Sequence, residues 1–216
     1  MQLPFTNAEF FEVFAAYNGA VWPVAAGLWL LTLAAVLRLF RGGYKPSREV
    51  TALLVVHWAW AAVAYHAALF TRINPAAWLF AGLFGVQAFL FVWCGIVHDR
   101  LRFRVRQSAR HRLAVVLVGY ALGYPLINLL FGEYPRVPTF GVPCPTTILT
   151  VGFLLAAEAV PWTLIIVPVL WSFIGGSAAV LFGVTADLAL PLAGVLLLAV
   201  TGLRTYNSLY DLSHPV

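Results

Sequence analysis

Histidine and cysteine are the side chains here with the widest chemistry, and the chain has five of the first and two of the second. His57 and His66 stand inside one apolar stretch, where an imidazole is a hydrogen-bonding group, a metal ligand or a haem ligand. Nine residues apart at about 100° each, they fall on opposite faces of a helix. At about 1.5 Å per residue, His57 lies roughly 12 Å from the inner end of that stretch and His66 about 6 Å from its outer end. The pair does not clamp one ion within one chain, so no metal site is expected. No cofactor is expected either, although haem held by His57 or His66 singly, or by histidines paired across a dimer, stays open. The plainer alternative is a neutral imidazole hydrogen-bonded between helices. His98, His111 and His214 fall at the inner interface or in the tail.

Cys144 belongs to the richest polar stretch, Glu133–Thr147, which holds four prolines. Proline fixes φ and removes a backbone donor, so this segment is stiff and some carbonyls lack local partners. The thiol stands between Pro143 and Pro145 at the start of a helical stretch, with the hydroxyls of Thr146 and Thr147 beside it. A thiol at a helix N-terminus is a candidate reactive group, and His66, at similar depth, is the one candidate base. The alternative is a rigid loop with threonine as the helix cap. Cys94 lies near the opposite face, too far from Cys144 for a disulfide. Taken together, His66, Arg72, Asn74, Glu133, Tyr134, Cys144, Thr146 and Thr147 form a candidate ligand-binding pocket. Shared depth is what groups them.

The elements that must carry these residues follow from composition. Of the 216 residues, 62% are hydrophobic and 10% charged, against about 25% charged in soluble domains. A soluble body of this size has too little interior for that much apolar surface. The expectation is an all-α integral membrane protein in one domain, 1–216. A bilayer core needs roughly 20 apolar helical residues, and seven stretches qualify: Gly19–Phe40, Glu49–Phe70, Asn74–Val97, Arg112–Leu130, Pro143–Glu158, Trp162–Gly183 and Ala186–Leu203. The fifth is the shortest; if it is re-entrant the count is six.

Charge sets the orientation. Arg38, Arg41, Lys45 and Arg48 follow the first stretch, Arg100 to Arg112 follow the third, and Arg204 follows the seventh. The positive-inside rule then puts the N-terminus outside and the C-terminus in the cytoplasm. The alternating run from Arg100 to Arg106, within a basic loop at 98–112, is expected on anionic lipid. The net charge of +5 is accounted for by these loops, so nucleic acid is not an expected partner. With the sole lysine, Lys45, in a loop, a retinal Schiff base inside the bundle is excluded.

At the N-terminus, Thr6 and Glu9 make a capping box. Residues 1–18 are expected as a short helix in the outer interface that turns at Asn18-Gly19 into the first span, or else as the first turns of that span. The outer loop is 131–147. Gln87, Tyr120, Tyr124 and Asn128 are expected to join helices, and Gly175-Gly176-Ser177 to admit a neighbouring helix closely. Pro125 and Pro168 are expected to kink their spans.

Four segments carry a family resemblance: NAEFFEVFAAYNGAVWP at Asn7–Pro23, TRINPAAWLF at Thr71–Phe80, YPRVPTFGVPCPTT at Tyr134–Thr147 and WSFIGGSAA at Trp171–Ala179. The chain resembles a bacterial multi-pass family, domain of unknown function 6064, over nearly its whole length. The resemblance implies a bacterial inner (cytoplasmic) membrane protein and brings no catalytic residues.

The expected function is binding or passage of a small molecule through an outer-facing pocket. The alternatives are a haem- or pigment-bearing protein or accessory subunit of a membrane redox complex, and an enzyme using Cys144, the least favoured. A homo-oligomer or a larger membrane complex is open.

Overall fold

Each expected span finds a helix in the computed structural model, which describes residues 4–40, 47–103 and 108–213. These are α1 (Asn7–Phe40), α2 (Ser47–Trp60), α3 (Ala77–Phe91), α4 (Ala109–Phe131), α5 (Pro143–Ala156), α6 (Thr163–Phe182) and α7 (Ala189–Ser213). α2 continues as a π-helical turn, Ala61–Ala67, and α3 as another, Val92–Val97. A short 3-10 turn, Thr185–Leu188, leads into α7. Among the described residues there is no strand, only an isolated antiparallel bridge between Phe103 and Ala157. Six of these segments are long and apolar enough to cross a membrane; α5, with 14 residues, is shorter. The glycine stop at Gly42-Gly43 lies outside the described residues.

α1 starts on the capping box. Glu9 N donates to Thr6 Oγ1 at 3.2 Å, and the Glu9 carboxylate accepts from Thr6 N at 2.7 Å. The expected turn at Asn18-Gly19 is absent: α1 is one helix of 34 residues, roughly 51 Å at 1.5 Å per residue, so the N-terminal segment is the first turns of the span. Asn18 is only 2% exposed, because its amide holds a different part of the chain, described below.

The outer helices follow one another in the order α1, α2, α3, α6, α7, with the 3-10 turn before α7 meeting α4 and α4 meeting α1, and α5 packs inside against α2, α4, α6 and α7. Every α5 residue except Cys144 is buried. That placement explains how a helix too short to cross alone sits at the centre: protein encloses it on all sides. Gly152 lets α4 come close, since a Cβ there would meet Val118 Cγ2 at 2.7 Å and the Ala114 carbonyl at 3.2 Å. Thr150 donates to Thr146 O at 2.7 Å and accepts from Trp58 Nε1 at 2.8 Å, tying α5 to α2. Thr150→Val keeps the shape and orphans the indole N–H, so an equilibrium unfolding measurement should show a loss of about 1–3 kcal/mol.

The polar residues on helices mostly join neighbours, as their isolation in apolar sequence suggested. Pro168 has no N–H for the carbonyl four residues before it, Leu164, and Gln87 Nε2 donates to that carbonyl at 3.2 Å. Gly176 and Gly194 interlock α6 with α7: a Cβ at the first would meet Pro191 at 2.4 Å, and at the second Ser172 at 2.7 Å.

At the end of the bundle away from the N-terminus, part of the basic loop packs into the protein. Leu101 is fully buried and Phe103 is 2% exposed. Phe103 N donates to Ser47 Oγ at 3.2 Å, Glu158 N donates to Arg102 O at 2.8 Å, and Arg110 Nη1 donates to Ala157 O at 2.5 Å. Leu101 and Phe103 therefore close this end of the bundle. Arg100 and Arg102 point outward; Arg104 and Arg106 lie outside the described residues. Along the ring, large apolar side chains stay exposed, among them Leu79 at 72%, Leu126 at 68% and Val180 at 72%.

Candidate functional site

The proline-rich segment begins as a surface loop and then turns inward. Residues 132–136 are exposed, whereas Val137, Phe140, Gly141 and Val142 are buried. Three hydrogen bonds from one side chain guide this descent. Asn18 Nδ2 donates to the carbonyls of Pro135 at 2.7 Å and Val137 at 2.8 Å, and its Oδ1 accepts from Thr139 Oγ1 at 2.6 Å. Deeper, Tyr17 donates to the Phe140 carbonyl at 3.2 Å and accepts from Trp60 Nε1 at 2.7 Å. The carbonyls that proline leaves without local partners thus find side chains, the condition for irregular backbone inside an apolar bundle. At the start of α5, Pro143 and Pro145 lack N–H groups, so a buried helix end exposes fewer orphan donors.

A cavity of about 220 Å³ lies where this segment meets the first turns of α1, the π turn after α2, and α6. Phe10, Phe14, Tyr65, Phe70, Phe80 and Phe182 give it aromatic walls; His66, Asn74, Cys144, Ser177 and Asp187 give it polar groups. It opens beside Ser177 and Leu181, both exposed on α6.

His66 is fully buried, and neither ring nitrogen has a hydrogen-bond partner. Five rings surround it edge to face: Phe84 at 4.8 Å, Trp171 at 5.0 Å, Tyr65 at 5.3 Å, Phe80 at 5.7 Å and Phe70 at 6.2 Å. It belongs to the π turn, a device that recurs at functional sites because it changes which side chains face inward. A neutral imidazole carries one donor and one acceptor. Leaving either unmet in an apolar interior costs about 1–3 kcal/mol.

Asp187 is the other polar centre, 3% exposed, accepting a short hydrogen bond from the Tyr124 hydroxyl. Cys144 presents its thiol to the same carboxylate, beside the Trp171 indole. Tyr120, one helical turn before Tyr124, donates to the Ala186 carbonyl at 2.7 Å. Two phenols at i and i+4 on α4 thus hold the 3-10 turn that aims Asp187. The sequence pattern does not single out Asp187, and it marks Tyr124 only as a helix joiner. The available signals were an acid flanked by Ala186 and Leu188 and two tyrosines four apart.

The eight residues grouped by depth separate. His66, Asn74 and Cys144 line the cavity. Thr146 and Thr147 are buried in the first turns of α5 and line no part of it; Thr147 donates to Pro143 O at 2.9 Å. Arg72 folds onto the Ala68 carbonyl at 2.9 Å and stays exposed. Glu133 lines a separate surface cleft with the Glu12–Arg136 ion pair, and Tyr134 a lateral groove between α1 and α4. His57 is buried elsewhere. Its Nε2 meets Thr32 Oγ1 at 2.9 Å, and Thr32 donates to Leu28 O, so the imidazole is the donor of that pair. Its ring stands edge-on to Phe140 at 5.2 Å. His66 makes no hydrogen bond to Cys144, so the thiol–imidazole contact of nucleophilic catalysis is not formed. Among the described residues no cluster of three potential metal ligands occurs.

No curated protein and no solved structure matches the chain. A family model does match, over residues 7–210, and on that span the chain belongs to the family of unknown function DUF6064.

Proposed function

We propose that this chain is a multi-pass protein of the bacterial inner membrane that binds a small molecule in the cavity between His66, Cys144 and Asp187. In this reading it crosses seven times, N-terminus outside and C-terminus in the cytoplasm. The fifth crossing is a composite of the buried segment 137–142 and α5. The apolar ring surface and the distribution of arginine support this orientation, and Arg100, Arg102 and Arg112 are the surface offered to anionic lipid headgroups.

The observation that carries the binding reading is His66, a buried imidazole with two unmet nitrogens at the edge of a cavity. Such groups in native proteins call for a partner. The cavity is smaller than the roughly 300–1,000 Å³ of pockets for drug-sized ligands. That favours a compact head group and disfavours a haem macrocycle.

His66→Leu separates binding from structure. Replacing an unpaired buried polar group by an apolar one of similar size is neutral or stabilising, so thermal stability in detergent should be unchanged or raised. The variant should at the same time lose a molecule that the unaltered protein retains through purification. Organic extracts compared by mass spectrometry read this directly. Identical extracts from both proteins, or a loss of stability in the variant, would assign His66 to structure and end the binding reading. A visible absorption spectrum of the same sample reads out the haem alternative.

A further inference from the structure

We propose that the cavity takes an organic cation, an alkylammonium with an apolar tail; this rests on the binding reading above and names its ligand class. The charge balance of the lining is the first ground. Asp187 is a carboxylate at 3% exposure, and among the described residues no lysine or arginine lines the cavity with it. Its neighbours, Tyr124 and Cys144, are neutral groups that present hydrogens to it. A carboxylate away from water needs an opposite charge or a full set of hydrogen bonds. A cationic ligand provides the charge.

The walls are the second ground. Tyr65, Phe70, Phe80 and Trp171 surround the polar end of the cavity, and the negative faces of such rings attract ammonium groups. His66 is the third. An alkylammonium has several N–H donors, enough for both Asp187 and the acceptor nitrogen of His66, which line the same cavity and the second of which has no partner. An anion would face Asp187 with like charge, and a neutral apolar molecule would leave both polar groups unmet.

The opening agrees with an amphiphile. It lies beside Ser177 and Leu181 on a face of α6 that also exposes Phe173 and Val180. On the seven-span reading that face meets lipid, so the tail remains among acyl chains while the head enters.

The test uses three probes of one chain length at pH 7: octylammonium, octanol and octanoate, each titrated calorimetrically into the full-length protein in an uncharged detergent without lipid. Octylammonium should bind at least tenfold more tightly than either other probe. Asp187→Asn, which keeps the shape and removes the charge, should lower octylammonium affinity at least tenfold and leave octanol affinity unchanged. Ala178→Trp, which fills the cavity mouth, should abolish binding. If octanoate or octanol binds as well as octylammonium and Ala178→Trp blocks it, the cation assignment falls and the cavity remains a binding site. If no probe binds, both fall. A final arm distinguishes free amines from lipid: protein in phosphatidylethanolamine nanodiscs that no longer takes octylammonium, while phosphatidylglycerol nanodiscs still allow it, has the lipid's own ammonium head in the site.

Discussion

Asn18→Leu should lower stability by roughly 2–6 kcal/mol, from the cost of about 1–3 kcal/mol for each of two buried polar groups left unpaired. The side chain makes three hydrogen bonds, to Pro135 O, Val137 O and Thr139 Oγ1, all inside 2.8 Å. Leucine is close to asparagine in size and fits the helix at least as well, so neither a cavity nor lost helicity confuses the result. What remains are the buried Val137 carbonyl without a donor and the Thr139 hydroxyl without its acceptor, while the Pro135 carbonyl is at the exposed end of the segment. Proline-flanked backbone has few alternatives, because Pro135 and Pro138 fix the local torsions. By contrast, the nearby Arg136–Glu12 ion pair at 2.5 Å is exposed at both ends, and its contribution is within about 1 kcal/mol. Thermal unfolding in detergent should show a fall of roughly 4–24 °C for Asn18→Leu, at about 2–4 °C per kcal/mol for a chain of this size. A shift of only one or two degrees would mean the segment is held by something other than Asn18.

Asn18 also shows why the helices were legible in the sequence and the packing between them was not. Helix positions follow from runs of apolar residues, a one-dimensional signal that lipid-sized helices make strong. The capping box at Thr6 and Glu9 and the close packing at Gly176 are local in the same sense. Asn18-Gly19 read locally is a turn. The structure uses Asn18 for contacts 117 to 121 residues away, and no local pattern reports those. Helix α1 accordingly runs through the expected turn.

The eight residues grouped by depth part along the same line. Depth along each span is legible, and it brought His66 and Cys144 to one level. Which way a side chain faces around the ring depends on helix order and rotation. The π turn at Ala61–Ala67 changes that rotation without leaving a mark in the sequence. Arg72, Glu133 and Tyr134 share the level and face elsewhere, while Asp187 faces in because Tyr120 and Tyr124 hold its turn. The basic loop teaches a related lesson. Alternating arginine and apolar residues suit a lipid surface and a protein-closing strap equally well, and burial of Leu101 and Phe103 beside exposed Arg100 and Arg102 shows the strap on the inward-facing side chains.

Gly141→Ala should be the second large effect, roughly 2–5 kcal/mol, the sum of two separable parts. Gly141 has φ +86°, and a Cβ in the left-handed region costs about 1–2 kcal/mol. The same Cβ would stand 2.7 Å from Tyr17 Oη and 3.2 Å from the Trp60 ring, an overpacking cost of about 1–3 kcal/mol. Tyr17 has no room to swing aside, since its hydroxyl is fixed between Trp60 Nε1 and the Phe140 carbonyl. Gly183 isolates the backbone part: its φ is +72° and a Cβ there meets nothing within 4 Å. Gly183→Ala should therefore lose only about 1–2 kcal/mol, and the excess at Gly141 measures how tightly the segment is wedged between α1 and α2. Two residues beyond Gly141 the chain becomes α5 with Cys144 in its first turn, so the wedge sets where the thiol meets Asp187. Gly141→Ala should weaken ligand retention along with stability, whereas Gly183→Ala should leave retention intact. Equal losses from both glycines would show a segment free to adjust, and the position of Cys144 in the cavity would then owe nothing to the descent of the chain past Asn18 and Tyr17.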